Sequence, residues 1–270
     1  MSQIVSVHSF RGGTGKSNMT ANVAAVLVQQ GLRVGVVDTD IQSPGIHTLF
    51  GVKTNTAVGD ANPEHAGVVL NDFLYGRCNI EDAALDVTAK VMATQLGKPL
   101  SAKPATGKLY FIPASIRAND IARVLREGFD PELLSDGLRA VVERLSLDLL
   151  IVDTHPGINE QTLLSVAISD KLLIILRPDR QDYQGTAVTL EVAQRLGVPE
   201  MFLVLNKVPS SLDPRMVRLE AEKTFNCDVI SVIPHSDDLM VLGSSDMFVL
   251  HQPDHPVSVQ IRKLASTLCG

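Results

Sequence analysis

Phe10-Arg11-Gly12-Gly13-Thr14-Gly15-Lys16-Ser17 lies between the apolar run Ile4–Val7 and an Ala/Val/Leu-rich stretch reaching from about Lys16 to Gln30. Gly12, Gly13 and Gly15 let the backbone curl until several N–H groups face one anion, where side chains would block the approach. The helix predicted from Lys16 adds its positive N-terminal end. Lys16 supplies a full charge for β- and γ-phosphates, and Ser17 a hydroxyl for Mg²⁺. A strand, a glycine-rich turn and a helix carrying Lys-Ser form a phosphate-binding loop. A dinucleotide fingerprint is excluded, because no G-x-G-x-x-G is present.

Outward from this loop, short apolar runs alternate with helical stretches. Gly31 stands where a helix ends, and Arg33–Val37 is the next predicted strand. Further strands are predicted at Leu109–Ile112, Leu147–Val152, Lys171–Leu176, Met201–Leu205 and Val229–Val232. Helices are expected near 70–75, 80–85, 119–127, 160–168, 183–196, 214–225 and 257–268, with another opening at Asp130-Pro131-Glu132, where Asp caps and Pro fits the first turn. Gly97 to Gly107 reads as an exposed loop. With 45% hydrophobic residues, 4% aromatics and no Trp, the 270-residue chain builds its core from Val, Leu, Ile and Ala. That composition suits a parallel sheet covered on both faces. The expected architecture is α/β: a single doubly wound, mostly parallel sheet forming one P-loop domain over residues 1–270.

Acidic residues at the ends of two predicted strands complete the phosphate site. Val36-Val37-Asp38-Thr39-Asp40 ends a strand, and period-two alternation places Asp38 and Asp40 on the same side. Asp153 closes the run Leu149-Leu150-Ile151-Val152, the pattern of a strand whose carboxylate serves Mg²⁺. Asn206-Lys207 ends another strand and offers an amide to a purine edge. Position 209 is Pro rather than the Asp that a guanine reader of the N-K-x-D type needs, so the base is expected to be adenine.

The loop departs from G-x-x-x-x-G-K-[ST] at Phe10 and resembles the deviant Walker A motif K-G-G-x-G-K-[ST] of the ParA/MinD family of ATPases. Arg11 stands in the place of the signature lysine. The stretches SFRGGTGKSN and LNDFLYGRCNIEDA are similar to a MinD/ParA-like subgroup. The resemblance implies that Arg11 to Asn18, including Thr14, embrace ATP or ADP, and that Arg11 reaches a partner's phosphates in an ATP-sandwich homodimer. Arg11 could instead meet a local carboxylate. The family places Asp38, with Ser17 and Asp153, near Mg²⁺ and assigns Asp40 to the attacking water. Thr154-His155-Pro156-Gly157 resembles the second switch, with His155 read as a bystander. Ile233-Pro234-His235 resembles a wall of the adenine pocket, and Arg177-Pro178-Asp179 a segment that brings Asp179 to the partner's ribose.

The family further implies slow hydrolysis raised by a stimulating partner protein, and binding to a surface. A net charge of −6 excludes a whole-protein field that draws in nucleic acid. Nonspecific DNA binding would therefore rest on local groups, Arg117, Arg123 and Arg126 or Arg215, Arg218 and Lys223. A membrane anchor fits less well, because Val257, Ile261, Leu264 and Leu268 read as a stripe docked on the core. Cys78, Cys227 and Cys269 form no C-x-x-C pair, and no apolar run reaches the ~18 residues of a spanning helix. A cytoplasmic protein is expected, peripheral on nucleoid or membrane if it binds a surface. The competing reading is a dimeric scaffold that holds ATP with negligible hydrolysis.

Overall fold

The structure is a computed structural model that describes residues 2–53, 67–92 and 106–268. One sheet holds β1 (Gln3–His8), β2 (Arg33–Asp38), β3 (Leu85–Asp86), β4 (Lys108–Ile112), β5 (Leu149–Asp153), β6 (Lys171–Leu176), β7 (Glu200–Val208) and β8 (Val229–Pro234). Their spatial order is β3-β4-β2-β5-β1-β6-β7-β8. All neighbours run parallel except β3 with β4. From β1 the chain moves outward to β2 on one side and later to β6, β7 and β8 on the other. The carboxyl end of β1 therefore lies where the winding reverses, the place at which open α/β sheets form their crevice.

The connecting helices are α1 (Lys16–Gln29), α2 (Leu70–Leu74), α3 (Thr88–Met92), α4 (Ala118–Glu127), α5 (Pro131–Arg144), α6 (Glu160–Ala167), α7 (Arg180–Arg195), α8 (Pro214–Phe225), α9 (Asp237–Leu242), α10 (Phe248–His251) and α11 (Pro256–Leu268). Strands β5 and β6 are buried along their whole length, as continuous apolar runs require when both faces are covered. Alternation divides the side chains between those faces. Val5, Val7, Val34, Val36 and Ile151 pack with α1, α10 and α11. Ile4, Val37, Leu150 and Val152 join α2 and α5, while Leu172, Ile174 and Leu203 join α7 and α8.

Local chemistry sets the helix starts. Asp130 accepts from Glu132 N and Leu133 N ahead of Pro131, and Asp213 accepts from Arg215 N ahead of Pro214. Helix α7 begins three residues earlier than its apolar periodicity suggests, because Asp179 caps it through Gln181 N and Asp182 N. The segment expected to be helical at 80–85 is a 3₁₀ turn over Ile80–Ala83, after which Leu85 opens the antiparallel edge strand. Of the loop expected over 97–107, residues 97–105 lie outside the described residues. Gly107 is buried, not exposed: a Cβ there would sit 2.0 Å from Val28 O at the end of α1.

Helix α11 docks as expected. Val257, Ile261, Leu264 and Leu268 are at most 2% exposed, and Lys171 Nζ donates to Leu268 O at 3.0 Å. At roughly 1.5–3 kcal/mol per buried side chain, this stripe belongs to the core, not to a lipid surface. Among the described residues, no helix is long and apolar enough to cross a membrane.

Candidate functional site

The loop between β1 and α1 opens on a cleft of about 510 Å³ lined by Gly12 to Asn18, Asp40, Ser43, Thr48, Pro156 and Ser244. Helix α1 enters it without a side-chain cap and with no acid in its first turn. Its first N–H groups are thus left for an anion. Gly13 and Gly15 adopt φ of +78° and +95°, a region that side chains disfavour. At Gly15 a Cβ would also lie 2.5 Å from Asn206 Nδ2.

The end of β7 braces this loop from behind. Asn206 Nδ2 donates to Thr14 O at 2.7 Å, and Lys207 Nζ to Gly13 O at 2.8 Å. The expectation that the Asn206 amide faces a purine is corrected to that extent: its N–H₂ holds the phosphate loop while the residue borders an adjoining pocket. That pocket, about 170 Å³, is lined by Asn18, Met19, Asn206, Lys207, Leu239, Met240 and Gly243. Pro234 does not line it. It ends β8 in register with Val208, and α9 supplies the wall instead. Asn18 Nδ2 donates to Ser244 Oγ at 2.9 Å where the pocket and the cleft meet.

Parallel pairing of β2 with β5 puts Asp38 beside Asp153. Both are 1% exposed. Asp153 Oδ1 accepts from Lys16 Nζ at 2.8 Å and from Thr20 Oγ1 at 3.2 Å. Asp38 Oδ1 accepts from Asp40 N at 3.0 Å, while its Oδ2 is buried without a partner. Burial and the Asp153 charge raise the Asp38 carboxyl well above its ordinary range, against the pull of Lys16. The strand stops at Asp38, so Asp40 reaches the cleft through the turn that this hydrogen bond makes and not by strand alternation.

An orphaned carboxylate oxygen on Asp38, paired in register with buried Asp153, suits a hard cation, and Ser17 offers a hydroxyl in the adjoining cleft. Among the described residues no three His, Cys, Asp or Glu side chains surround a common point. Mg²⁺ in phosphate-transfer sites needs no such cage, since it is held by one or two carboxylates, water and the phosphates themselves. The donor set fits Mg²⁺ bound with a nucleotide.

Two histidines belong to this site, one unsuspected and one misjudged. His155, read from sequence as a bystander, has its Nδ1 2.6 Å from Asp40 Oδ1. His8, fully buried at the end of β1, has Nδ1 2.8 Å from Thr154 Oγ1. The Thr154 hydroxyl donates to Val7 O, so it accepts from His8 and leaves Nε2 bare and unpartnered. Burial, then Lys16, then His155 push the His8 imidazole down to about 3. Below pH 6.5 the unfolded chain takes up a proton that the folded chain refuses until about pH 3. Stability is therefore full above pH 6.5 and lost on acidification, at about 1.4 kcal/mol per unit while that difference lasts. Urea midpoints taken from pH 7 to pH 4.5 are expected to fall more steeply for the native chain than for His8→Asn. Parallel slopes would contradict the buried neutral imidazole.

Arg11 lies on α7. Its Nη1 donates to Gln181 Oε1 and sits 3.9 Å from Asp182 Oδ1, whose carboxylate Arg177 grips at 2.9 and 3.0 Å. Of the two arrangements open from sequence, the chain as it stands adopts the local one, with the Arg11 side chain 42% exposed. Phe10 packs flat on α7, leaving no room for a Cβ at Gly185. Asp179 is occupied as the α7 cap and lies 3.3 Å from Arg177 Nη2.

A profile of the CobQ/CobB/MinD/ParA nucleotide-binding domain matches residues 5–249. The chain is similar to an uncharacterized ATP-binding protein of Methanocaldococcus jannaschii, 25% identical over 271 aligned residues that cover all of this chain and 89% of the relative. In fold it is similar to the septum site-determining protein MinD of Pyrococcus horikoshii complexed with Mg-ADP, with a TM-score of 0.74 and 20% identity over 99% and 96% of the two chains. It is likewise similar to a chain of the MinC:MinD cell division complex of Aquifex aeolicus, with a TM-score of 0.76 and 19% identity over 99% and 95%.

Proposed function

The chain belongs to the CobQ/CobB/MinD/ParA nucleotide-binding family, and from that premise we propose a single Mg²⁺-dependent ATPase domain that closes as a nucleotide-sandwich homodimer. It acts as a switch in intracellular positioning or partitioning, with a partner protein that stimulates turnover. The observation that carries this reading is one cleft lined by an uncapped helix N-terminus, Lys16 and Asp40, with buried Asp153 bonded to Lys16 and Asp38 beside it.

In the proposed reaction the oxygen of a water forms a bond to the γ-phosphorus, and the bond to the β–γ bridging oxygen breaks. ADP and phosphate leave, and the water's proton passes to phosphate and solvent. The α1 N–H groups and Lys16 bind the phosphate oxygens, and Asp40 orients the water. Ser17, Asp38 and Asp153 would hold Mg²⁺, which supplies charge neutralisation at the phosphates. The pocket beside Asn206, with Pro209 in place of a guanine-reading acid, supports adenine.

Of the candidate surfaces, a soluble partner complex fits best. Arg123 is engaged by Glu127 at 2.7 Å and stacks 3.7 Å over Tyr75, and Arg218 pairs with Glu222 at 2.9 Å. Two of the basic residues that could serve DNA thus sit beside an acidic neighbour that offsets their charge. The scaffold alternative draws on Arg11, which leaves the catalytic loop for α7.

Solution mass with ADP or a slowly hydrolysed ATP analogue tests the dimer. A monomer with ADP that becomes a dimer only with the analogue is expected. Arg11→Ala should keep monomer affinity for ATP within about threefold while weakening dimerisation roughly tenfold or more, the worth of one charge-assisted contact. Equal loss of both would place Arg11 in its own chain's site, and an unchanged native mass would remove the switch.

A further inference from the structure

His155 and Asp40 lie 115 positions apart in sequence and meet at 2.6 Å. Each is held by its own loop. Asp40 Oδ1 also accepts from Ser43 N at 3.2 Å, and Asp40 Oδ2 has no protein partner among the described residues. On the other side, Thr154 N and Oγ1 both donate to Val7 O, and Gly157 N donates to Ser9 O at 3.0 Å. Thr162 Oγ1 donates to His155 O at 3.3 Å. Pro156 follows and restricts His155 to extended backbone. The backbone that carries the imidazole is thus held from β1, from α6 and by its own chain neighbour, and the ring itself meets Asp40. A carboxylate oxygen only accepts, so Nδ1 carries the proton in this contact.

We infer that His155 is a positioning residue for hydrolysis: it pins one oxygen of Asp40 and leaves the other to orient the attacking water. The inference rests on the proposed ATPase reading and adds to it a group that acts only through Asp40. A freely rotating carboxylate would spend part of its time turned from the reacting phosphate, and small misplacements of this kind cost rate steeply. His155 does not line the phosphate cleft, whereas Asp40 and Pro156 do. Its removal should therefore slow turnover without loosening the nucleotide.

The test is single-turnover hydrolysis of Mg-ATP, read together with ATP affinity and thermal midpoint, for His155→Ala, His155→Asn and His155→Gln. The alanine variant should slow hydrolysis roughly 10- to 100-fold with affinity changed less than about twofold. Asn places an N–H near the position of Nδ1 and should recover most of the rate, whereas Gln, reaching past it, should not. In an Asp40→Ala background, His155→Ala should add less than about a further twofold, because its effect passes through the missing carboxylate.

Native-like hydrolysis by the alanine variant overturns the inference. So does an affinity loss that matches the rate loss, or equal rates for Asn and Gln. If the alanine variant fails to fold, the Asn and Gln pair decides alone. A native chain that hydrolyses no ATP would sink the ATPase reading and this inference with it. Hydrolysis slowed by Asp40→Ala but not by His155→Ala would sink this inference only.

Discussion

Lys16→Ala is expected to abolish nucleotide binding at micromolar ATP and to destabilise the nucleotide-free protein, and the two losses have separable causes. Lys16 is the only side-chain cation lining the phosphate cleft among the described residues, and its Nζ is 2.8 Å from Asp153. Toward ATP, removing charge-assisted hydrogen bonds worth roughly 1.5–3 kcal/mol each from two phosphates weakens binding by about 10²- to 10⁴-fold. Toward the fold, the variant strands Asp153 beside Asp38, each 1% exposed. Stripping one partner from a buried ion pair costs about 3–5 kcal/mol, here toward the low end because the cleft admits water. For a chain of this size that is roughly 5–6 °C in thermal midpoint.

The double variant Lys16→Ala with Asp153→Asn separates these effects. It removes the stranded charge but not the need for a cation at the phosphates. Calorimetry should show the thermal midpoint largely restored and ATP binding still absent. A midpoint that stays low would show that the cost is not the unpaired carboxylate. Retained micromolar affinity in the single variant would contradict the phosphate-loop assignment itself.

The phosphate loop was legible because its requirements are local: glycines for the turn, Lys16 and Ser17 at the helix start, all within eight residues. The parallel sheet was legible for a similar reason. Leu149–Val152 and Leu172–Leu176 are apolar without alternation, and only strands covered on both faces read that way. Edge strand β3 carries two residues and so no period, which is why the turn before it passed for a longer helix. Helix α7 lost its first residues because Arg180, Gln181 and Asp182 interrupt the apolar pattern, although Asp179 was present as a capping signal. Helix α9 has Met240 and Val241 exposed at 64% and 86%, so it offers no amphipathic stripe to read.

The misjudged parts of the site are contacts between distant segments. His155 beside Pro156 reads as a variant of a switch loop, and nothing nearby announces Asp40. His8 could have drawn notice as an imidazole one residue before the loop at the end of a buried strand. Ser244 could not, since its contact with Asn18 spans 226 positions. Asn206 lies near the carboxyl end of β7 against the glycine loop, but which partner its amide takes depends on how closely Gly15 approaches, and this is a property of the packed fold.

Asp40→Ala should separate chemistry from binding in the opposite sense to Lys16→Ala. Among the described residues the Asp40 carboxylate makes no hydrogen bond to the glycine loop or to Lys16. Its bonds go to Ser43 N and His155 Nδ1. Deleting it also removes a negative charge from a cleft meant for phosphates, so ATP affinity should be unchanged or slightly higher. The folding cost should be small, because the His155 side chain is 22% exposed and can take water in place of the carboxylate. What is lost, on the proposed reading, is the group that aims the water, a contribution on the order of 10²-fold or more to the rate. Mixed with Mg-ATP, the variant should accumulate as a dimer that persists while the native chain returns to monomer as ADP forms. Single-turnover product analysis and solution mass, followed on one sample, provide the check. Hydrolysis at the native rate would take the water-orienting role from Asp40, and a fall in ATP affinity equal to the fall in rate would place its carboxylate on the bound nucleotide itself.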